Sequence, residues 1–489
     1  MIRPGRRIII IIENHDFVLS FISYLDFLFF TILKSAAMKP GQSKSISRRN
    51  FIGTTSAALA GVTIVPSCAI AGLGRTAPSD KLNIAGVGIG GMGRGIIESM
   101  AKTENLVALC DVDWNERVMG VFNSYPGVRR YRDYRVMLDR QKDIEAVVVA
   151  TPDHTHAVIS MEAIKRGKHV YTEKPLSRTV YEARALTKAA REYKVATQMG
   201  NQGQAGDGTR RLREMIWDDA IGHISEVHVW TDRPNRGLSG TYWPQGIDRP
   251  EDTPPVPESL DWDLFVGPAP MRPYHSSYHP FRWRGWWDFG TGALGDIGCH
   301  SFDPVFRALK LKYPSSIQAV STLVNDETYP QGSMVTYDFP AREEMPPVRL
   351  TWYDGGLRPP RIRGIDQGMQ LGAGGVLYIG SKGNVLDNEI VTKHLRDSYT
   401  APEPYIPSSP GHHQEWIDAC KGGGPAGSSF DWAGPLTETV LLGNIAIRPE
   451  LREKLSYQTL NFDPEDFSFP EMPEADQFLH YKYREGWFL

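Results

Sequence analysis

The feature that most constrains this chain is a strand that runs straight into a glycine-rich turn. Lys81 to Val87 is a short apolar run, followed by Gly88-Ile89-Gly90-Gly91-Met92-Gly93, a Gly-x-Gly-x-x-Gly pattern, and then by the helical stretch Ile96 to Lys102. A second apolar run, Leu106 to Cys110, ends at Asp111, eighteen residues past Gly93. Glycines between a strand and a helix, with an acid closing the next strand, form a dinucleotide-binding pattern. Gly88 permits the tight turn. Gly90, with Gly91 and Met92 beside it, lets backbone N–H groups approach a pyrophosphate at a helix N-terminus. Gly93 lets helix and strand pack closely. Asp111 is placed to accept hydrogen bonds from ribose hydroxyls. An acid there repels a 2′-phosphate, and no arginine adjoins it in the chain, so NAD is expected rather than NADP.

Strands and helices continue to alternate. Ile144 to Ala150 precedes a helix at Val158 to Arg166, then come the strand His169 to Tyr171, the helix Val180 to Tyr193 and the strand Val195 to Met199. This order predicts an α/β fold with a doubly wound parallel sheet, a Rossmann domain over residues 80–202. Residues 203–489 read as an α+β domain. Val227 to Trp230, Ser316 to Leu323, Ser333 to Phe339 and Val348 to Trp352 are its strands, in a mainly antiparallel open sheet. The stretches Trp352 to Gly356 and Gly380 to Gly383 read as strand ends and turns.

Composition narrows the classes of function. A length of 489 residues allows two or three domains at about 150 each. The net charge of −3 offers no field to a polyanion, so nucleic acid is not expected as a partner. The four cysteines, Cys68, Cys110, Cys299 and Cys420, are too far apart for a zinc ribbon or a disulfide scaffold. His275 and His279 share a helical spacing, but no third ligand follows at credible spacing; structural roles are expected and no metal.

Residues 1–79 concern address rather than fold. Ser47-Arg48-Arg49-Asn50-Phe51-Ile52 before the mildly apolar Gly53 to Val65 reads as a twin-arginine export signal. The expected location is therefore periplasmic or otherwise exported, with transient engagement of the twin-arginine machinery. Cys68 is a poor lipid-anchor site because Pro66 precedes it. Upstream, Glu13, Asp16 and Asp26 interrupt the apolar stretch to Leu33, where a central charge costs about 2.5–3.5 kcal/mol. Met38 precedes a complete signal, so the first 37 residues are expected to come from an upstream start codon.

Three ordered blocks carry a resemblance. Ala150-Thr151-Pro152-Asp153-His154-Thr155-His156, Glu173-Lys174-Pro175 and Gly295-Asp296-Ile297-Gly298-Cys299-His300 resemble blocks of the Gfo/Idh/MocA oxidoreductases. Gly411 to Trp416 and Gly443 to Ala446 resemble that family's exported bacterial branch. The resemblance implies that Lys174 sits by the reacting hydroxyl and, with Asp296 and His300, handles its proton. It also implies that Thr151, Pro152 and His156 border the cofactor and that one face of the second sheet forms a homodimer or tetramer; Glu173, beside Lys174, is expected to fix the lysine's loop, and both are candidates for contact with the cofactor. An ordinary helix start would equally account for His154 and His156.

The residues can be read without the family. Lys174 follows a strand at the carboxyl edge of the sheet, where doubly wound folds place ligands. His300 is a candidate base, because imidazole titrates near neutrality. Asp296, four residues earlier, shares its helical face. Asn201 and Gln202 follow the last strand and reach either the nicotinamide or substrate, or simply link domains. Arg284, Trp286 and Trp287, in Trp283 to Phe289, offer flat apolar faces and polar groups for a sugar-sized ligand, or else a core cluster. The expected function is NAD-dependent hydride transfer on a sugar, polyol or keto-glycoside. The alternative is an NAD-dependent glycosidase working by transient oxidation, elimination and hydride return. Because an exported compartment offers little free NAD, the cofactor is expected to be tightly bound.

Overall fold

The computed structural model describes residues 80–489 apart from 238, 363, 364, 366, 367 and 457. The twin-arginine stretch, the apolar stretch before it and Cys68 lie outside the described residues. The chain divides at residue 81, and residues 82–489 form one compact unit. No helix among the described residues is long and apolar enough to cross a membrane.

Six parallel strands form the first sheet: β1 (Asn83–Val87), β2 (Asn105–Cys110), β3 (Arg129–Tyr131), β4 (Ala146–Val149), β5 (His169–Thr172) and β6 (Thr197–Met199). Their order is β3-β2-β1-β4-β5-β6. Helices cover both faces, which is why Ala146 to Val149 is an unbroken run of fully buried residues. The covering helices are α1 (Met92–Met100), α2 (Glu116–Ser124), α3 (Tyr134–Arg140), α4 (Asp153–Lys165) and α5 (Val180–Tyr193). The strand order reverses between β1 and β4, and a crevice opens outside the carboxyl ends of these two neighbours. Three chain segments leave the sheet there: the glycine turn after β1, Thr151-Pro152-Asp153 after β4, and Glu173-Lys174 after β5. Strand β3 was not apparent in the sequence, because Arg-Arg-Tyr at a sheet edge has no apolar signature.

After α6 (Asp207–Trp217) comes a seven-stranded sheet. Its strands are β7 (Ile224–Trp230), β8 (Ser316–Ser321), β9 (Ser333–Phe339), β10 (Val348–Tyr353), β11 (Gly375–Gly380), β12 (Asn384–Leu386) and β13 (Glu389–Ile390), ordered β13-β12-β11-β7-β10-β9-β8. Only β7 and β10 pair in parallel. Gly380 N–H bonds Gly383 O at 2.9 Å, so that segment is the β11–β12 turn. Between β7 and β8 run the short helix α7 (Trp262–Val266) and the long α8 (Gly292–Leu309). Phe302 of α8 meets Tyr337 and Trp352 edge-on at 5.7 and 5.8 Å, seating the helix on the sheet.

The chain then returns to the first sheet. Trp416 of α9 (His412–Cys420) is buried with Leu82, Ile84 and Tyr171. Helix α10 (Phe430–Ala446) packs against both α5 and α8. Apolar residues from both sheets thus share one core.

Candidate active site

The cleft at the carboxyl edge has a volume of about 700 Å³, within the range of small-molecule sites. Gly88 has φ +81°, and a Cβ there would lie 2.7 Å from the Ala150 carbonyl group. A Cβ on Gly93 would stand 2.0 Å from Gly88 O, so only glycine lets α1 approach this closely. Gly90, Gly91 and Met92 line the cleft, Gly93 does not, and α1 starts at Gly91 with no side-chain cap. Its first N–H groups therefore remain available to an anion.

Asp111 closes β2 in the same cleft. Its Oδ2 accepts from Ile89 N–H at 2.8 Å and its Oδ1 from Asp113 N–H at 3.0 Å, while burial pushes its pKa up. The turn and the acid thus hold each other. Arg117 and Arg132 line the cleft too, so the absence of a neighbouring arginine is true of the chain but not of the space. Arg132 Nη1 is taken up by Val112 O at 3.1 Å and Ser259 O at 2.8 Å.

Beside Asp111 stands a residue that sequence reading passed over. Asp113 accepts from Ser259 Oγ and Asn115 Nδ2, and His279 Nε2 lies 2.7 Å from its Oδ2. Burial alone would raise this carboxyl, but these partners hold it down at about 2. His279 therefore ties the second domain to the adenosine side, and the 166 residues separating the pair leave no local signal. His275 lies 3.3 Å from Asp252.

At the other end, Lys174 Nζ donates to Asp296 Oδ1 at 2.7 Å and to Asp296 O at 2.8 Å. Arg284 Nε donates to the same Oδ1 at 3.0 Å. Burial opposes ionisation of Asp296, yet the two cations outweigh it and hold the carboxyl well below the usual range. Burial likewise opposes the Lys174 ammonium, but Asp296 more than offsets it and the pKa is raised. His300 is partly buried one turn beyond Asp296 and bonds no described residue. Burial, then the Lys174 charge, push it down to about 4, so the ring is neutral at pH 7. It belongs to the cluster electrostatically but is absent from the cleft wall.

Asp153 completes this end and was missed, although it lies inside a block the sequence had singled out. It accepts from Thr291 Oγ1 at 2.6 Å and lines the cleft. Burial, offset in part by Thr291, Lys174 and Arg284, pushes it up to about 7. Its signal was present in the sequence: an acid at the first turn of a helix, next to Pro152, at the sheet's carboxyl edge.

The other candidates divide. Thr151 and Pro152 line the cleft, as does Glu173, whose Oε1 accepts from Gln202 Nε2 at 2.8 Å. Gln202 also donates to Tyr171 OH, so it braces this loop. Asn201 is 1% exposed, and both its amide atoms lack partners. His156 sits behind the cleft, with Nδ1 2.7 Å from Pro175 O and Nε2 2.8 Å from Thr151 O, tying the β4 and β5 loops together. His154 bridges Phe265 O and Phe289 O in an aromatic box. Burial pushes these two rings down to about 4 and about 3.

Trp286 is fully buried in the aromatic cluster beneath the cleft, its Nε1 on Ser277 O, and Trp287 faces a different cavity. The flat surfaces at the cleft are Phe281 and Trp283, each 4.2 Å from the Arg284 guanidinium. The segment singled out in the sequence does reach the cleft, but the single 3₁₀ turn at Arg282–Gly285 decides which of its rings line it.

The residues fit a dinucleotide. A glycine cradle, an uncapped helix start, an acid at the ribose position and an orphaned buried amide on Asn201 all lie at one sheet edge.

Comparison with known proteins agrees. Residues 82–201 match the Gfo/Idh/MocA oxidoreductase family, NAD-binding Rossmann fold, and residues 229–328 match its C-terminal alpha/beta domain. Levoglucosan dehydrogenase of Pseudarthrobacter phenanthrenivorans is 32% identical over 112 residues, 22% of this chain and 28% of that one. A glycosyl hydrolase family 109 protein of Shewanella baltica is 28% identical over 183 residues, 32% of this chain and 40% of that one. The aligned parts thus span less than half the length of these relatives. The WlbA dehydrogenase from Bordetella pertussis, solved with NADH and UDP-GlcNAcA, shares the fold with a TM-score of 0.54 at 19% identity, covering 78% of this chain and 99% of that one. This chain belongs to the Gfo/Idh/MocA oxidoreductase family.

Proposed function

We propose that the protein is an NAD-dependent oxidoreductase that acts on a carbinol or carbonyl carbon of a sugar, polyol or keto-glycoside. The observation that carries this reading is the part-buried Lys174–Asp296–Arg284 cluster, set at the far end of the cleft that begins at the glycine turn. Bound by Gly88, Gly90, Gly91, Met92 and Asp111, the dinucleotide supplies a hydride acceptor or donor.

The protein's own groups manage the proton and the orientation. Lys174 uses donors on Asp296 and keeps one N–H to give a substrate oxygen. Asp296 holds that ammonium in place and keeps it charged. Arg284, flanked by Phe281 and Trp283, presents a polar edge beside flat apolar faces that suit a pyranose or cyclitol ring. Two groups are able to take the hydroxyl proton: His300, neutral above about pH 4, and Asp153, poised at about 7. A rate limb near pH 7 assigns that role to Asp153, and a limb near pH 4 assigns it to His300.

The paired carboxylates of Asp111 and Asp113 support NAD over NADP, with Arg132 occupied by carbonyl groups although Arg117 also lines the cleft. The twin-arginine stretch supports export as a folded protein with the dinucleotide already held. Val320 and Leu323, 59% and 82% exposed at the β8 side of the second sheet, support a homo-oligomer.

The glycosyl hydrolase relative supports a second reading, a redox-neutral glycosidase. Incubation with NAD and a panel of sugars and polyols, followed by absorbance of the reduced nicotinamide and mass spectrometry of the products, tests the first. Sustained aglycone release from aryl glycosides without added NAD would favour the second. Protein purified without nucleotide, then denatured, releases near-stoichiometric NAD if retention is correct.

A further inference from the structure

A second cavity, of about 240 Å³, lies apart from the cleft, where the start of α5, the Trp287–Asp288 turn, the end of α10 and residues 477–482 meet. Arg178 lines it. Its Nη1 donates to Trp287 O, its guanidinium lies 3.5 Å over the Tyr481 ring, and its buried Nε has no partner. No carboxylate of a described residue lies within 4.0 Å of it. Asp288 and Glu182 reach its charge only through space, so this part-buried guanidinium has no direct ion partner and keeps one buried N–H unmet.

The unmet demand is not confined to Arg178. Asn444 Oδ1, His480 Nδ1 and Tyr481 OH are buried without partners on the same cavity wall. Arg448, paired with Glu450 at 2.6 Å, and the exposed Lys482 add positive charge. Of the acids here, Asp288 is engaged by Arg272, Glu182 accepts from Tyr483 OH and the Arg178 backbone N–H, and Asp326 is exposed.

We propose that this cavity binds a small oxyanion, a phosphate or a carboxylate, against Arg178 and Arg448. Tyr481 OH serves as a further donor, and Asn444 Oδ1 accepts from a hydroxyl on the ligand. Asn444 Nδ2 also donates to Thr291 O at 2.9 Å, and Thr291 holds Asp153, so the site lies one residue behind the catalytic end. The inference stands on this cavity alone and does not depend on which reaction the cleft performs.

The test is calorimetry and thermal unfolding of the full chain with sodium phosphate, sulfate and acetate. Ionic strength is fixed with chloride, and each titration is run with and without saturating NAD to set aside anions at the glycine turn. The expected result is saturable one-to-one binding of at least one of the three, unchanged by NAD, with a raised Tm that chloride does not reproduce. Phosphate and sulfate binding indicates a tetrahedral ligand, whereas acetate alone indicates a carboxylate. Arg178→Gln and Arg448→Gln should each weaken binding at least tenfold. If Arg178→Gln fails to fold, Arg448→Gln decides, since its side chain lies nearer the surface. No saturable binding by any of the three, an equal effect of chloride, or wild-type affinity in the arginine variants would overturn the proposal.

Discussion

The two ends of the cleft are built on opposite principles. At the adenosine end, the glycine turn, Asp111 and Asp113 are fixed by hydrogen bonds largely complete before any ligand arrives: Ile89 and Asp113 N–H on Asp111, and Ser259, Asn115 and His279 on Asp113. At the end proposed as catalytic, Lys174, Asp296 and Asp153 crowd together beside Arg284 under burial that opposes the charged forms of these three. A site that recognises an unchanging ligand gains from satisfied, rigid groups. One that moves a proton needs groups whose proton affinity has been displaced. The difference teaches where substitutions should read out as affinity and where as rate.

The largest effect should come from unbalancing the charged end. Asp296→Asn leaves the part-buried Lys174 and Arg284 without their carboxylate, a loss of up to about 3–5 kcal/mol, the range for a broken buried pair. Denaturant unfolding should show that loss, accompanied by collapse of activity. At the rigid end, Gly93→Ala drives a Cβ into the Gly88 carbonyl. Overpacking of this kind costs about 1–3 kcal/mol, and dinucleotide affinity should fall with the turn's geometry. Asp153→Asn sharpens the contrast differently: the fold persists, while any limb of the pH–rate profile near 7 disappears.

The smallest effect concerns stability in mild acid. His154, His156 and His300 are held at about 3, 4 and 4, below the ordinary value near 6.5. Between those limits the unfolded chain binds more protons, so their contribution is lost as pH falls from about 6.5 toward 4. Asp153, raised to about 7, works against this trend by favouring the folded state as pH falls from 7 toward 4. His412, also held at about 4, adds to the loss, and Asp354, also raised to about 7, opposes it; four groups outweigh two, and Tm should decline across that window.

The parallel sheet, the glycine turn and Asp111 were legible because local pattern carries each of them, whereas the convergence of Lys174 with Asp296, 122 residues apart, was legible only through the family resemblance. An apolar run, a glycine spacing and an acid at a strand end are short-range signals, and the sheet brings strand ends together automatically. What stayed hidden depends on pairs far apart in the chain or on one local rotation. Asp113 with His279 is of the first kind, and Phe281 and Trp283 on the cleft wall against Trp286 and Trp287 away from it are of the second. His156 shows a third limit, since a position beside the cleft and one bracing the cleft's loops look the same in sequence.

The most direct test measures dinucleotide affinity and turnover at saturating dinucleotide for Asp111→Ala, Lys174→Ala and the double variant. Arg284 remains to neutralise Asp296 when Lys174 is removed, so the fold is expected to survive. The account predicts that Lys174→Ala keeps its affinity and loses about 10²–10⁴-fold in rate, the usual range for a proton-handling group. Asp111→Ala should lose affinity and keep its rate, and the two effects should add in the double variant. A Lys174→Ala enzyme retaining more than about a tenth of the wild-type rate, or losing dinucleotide affinity in step with rate, would contradict the division between the two ends.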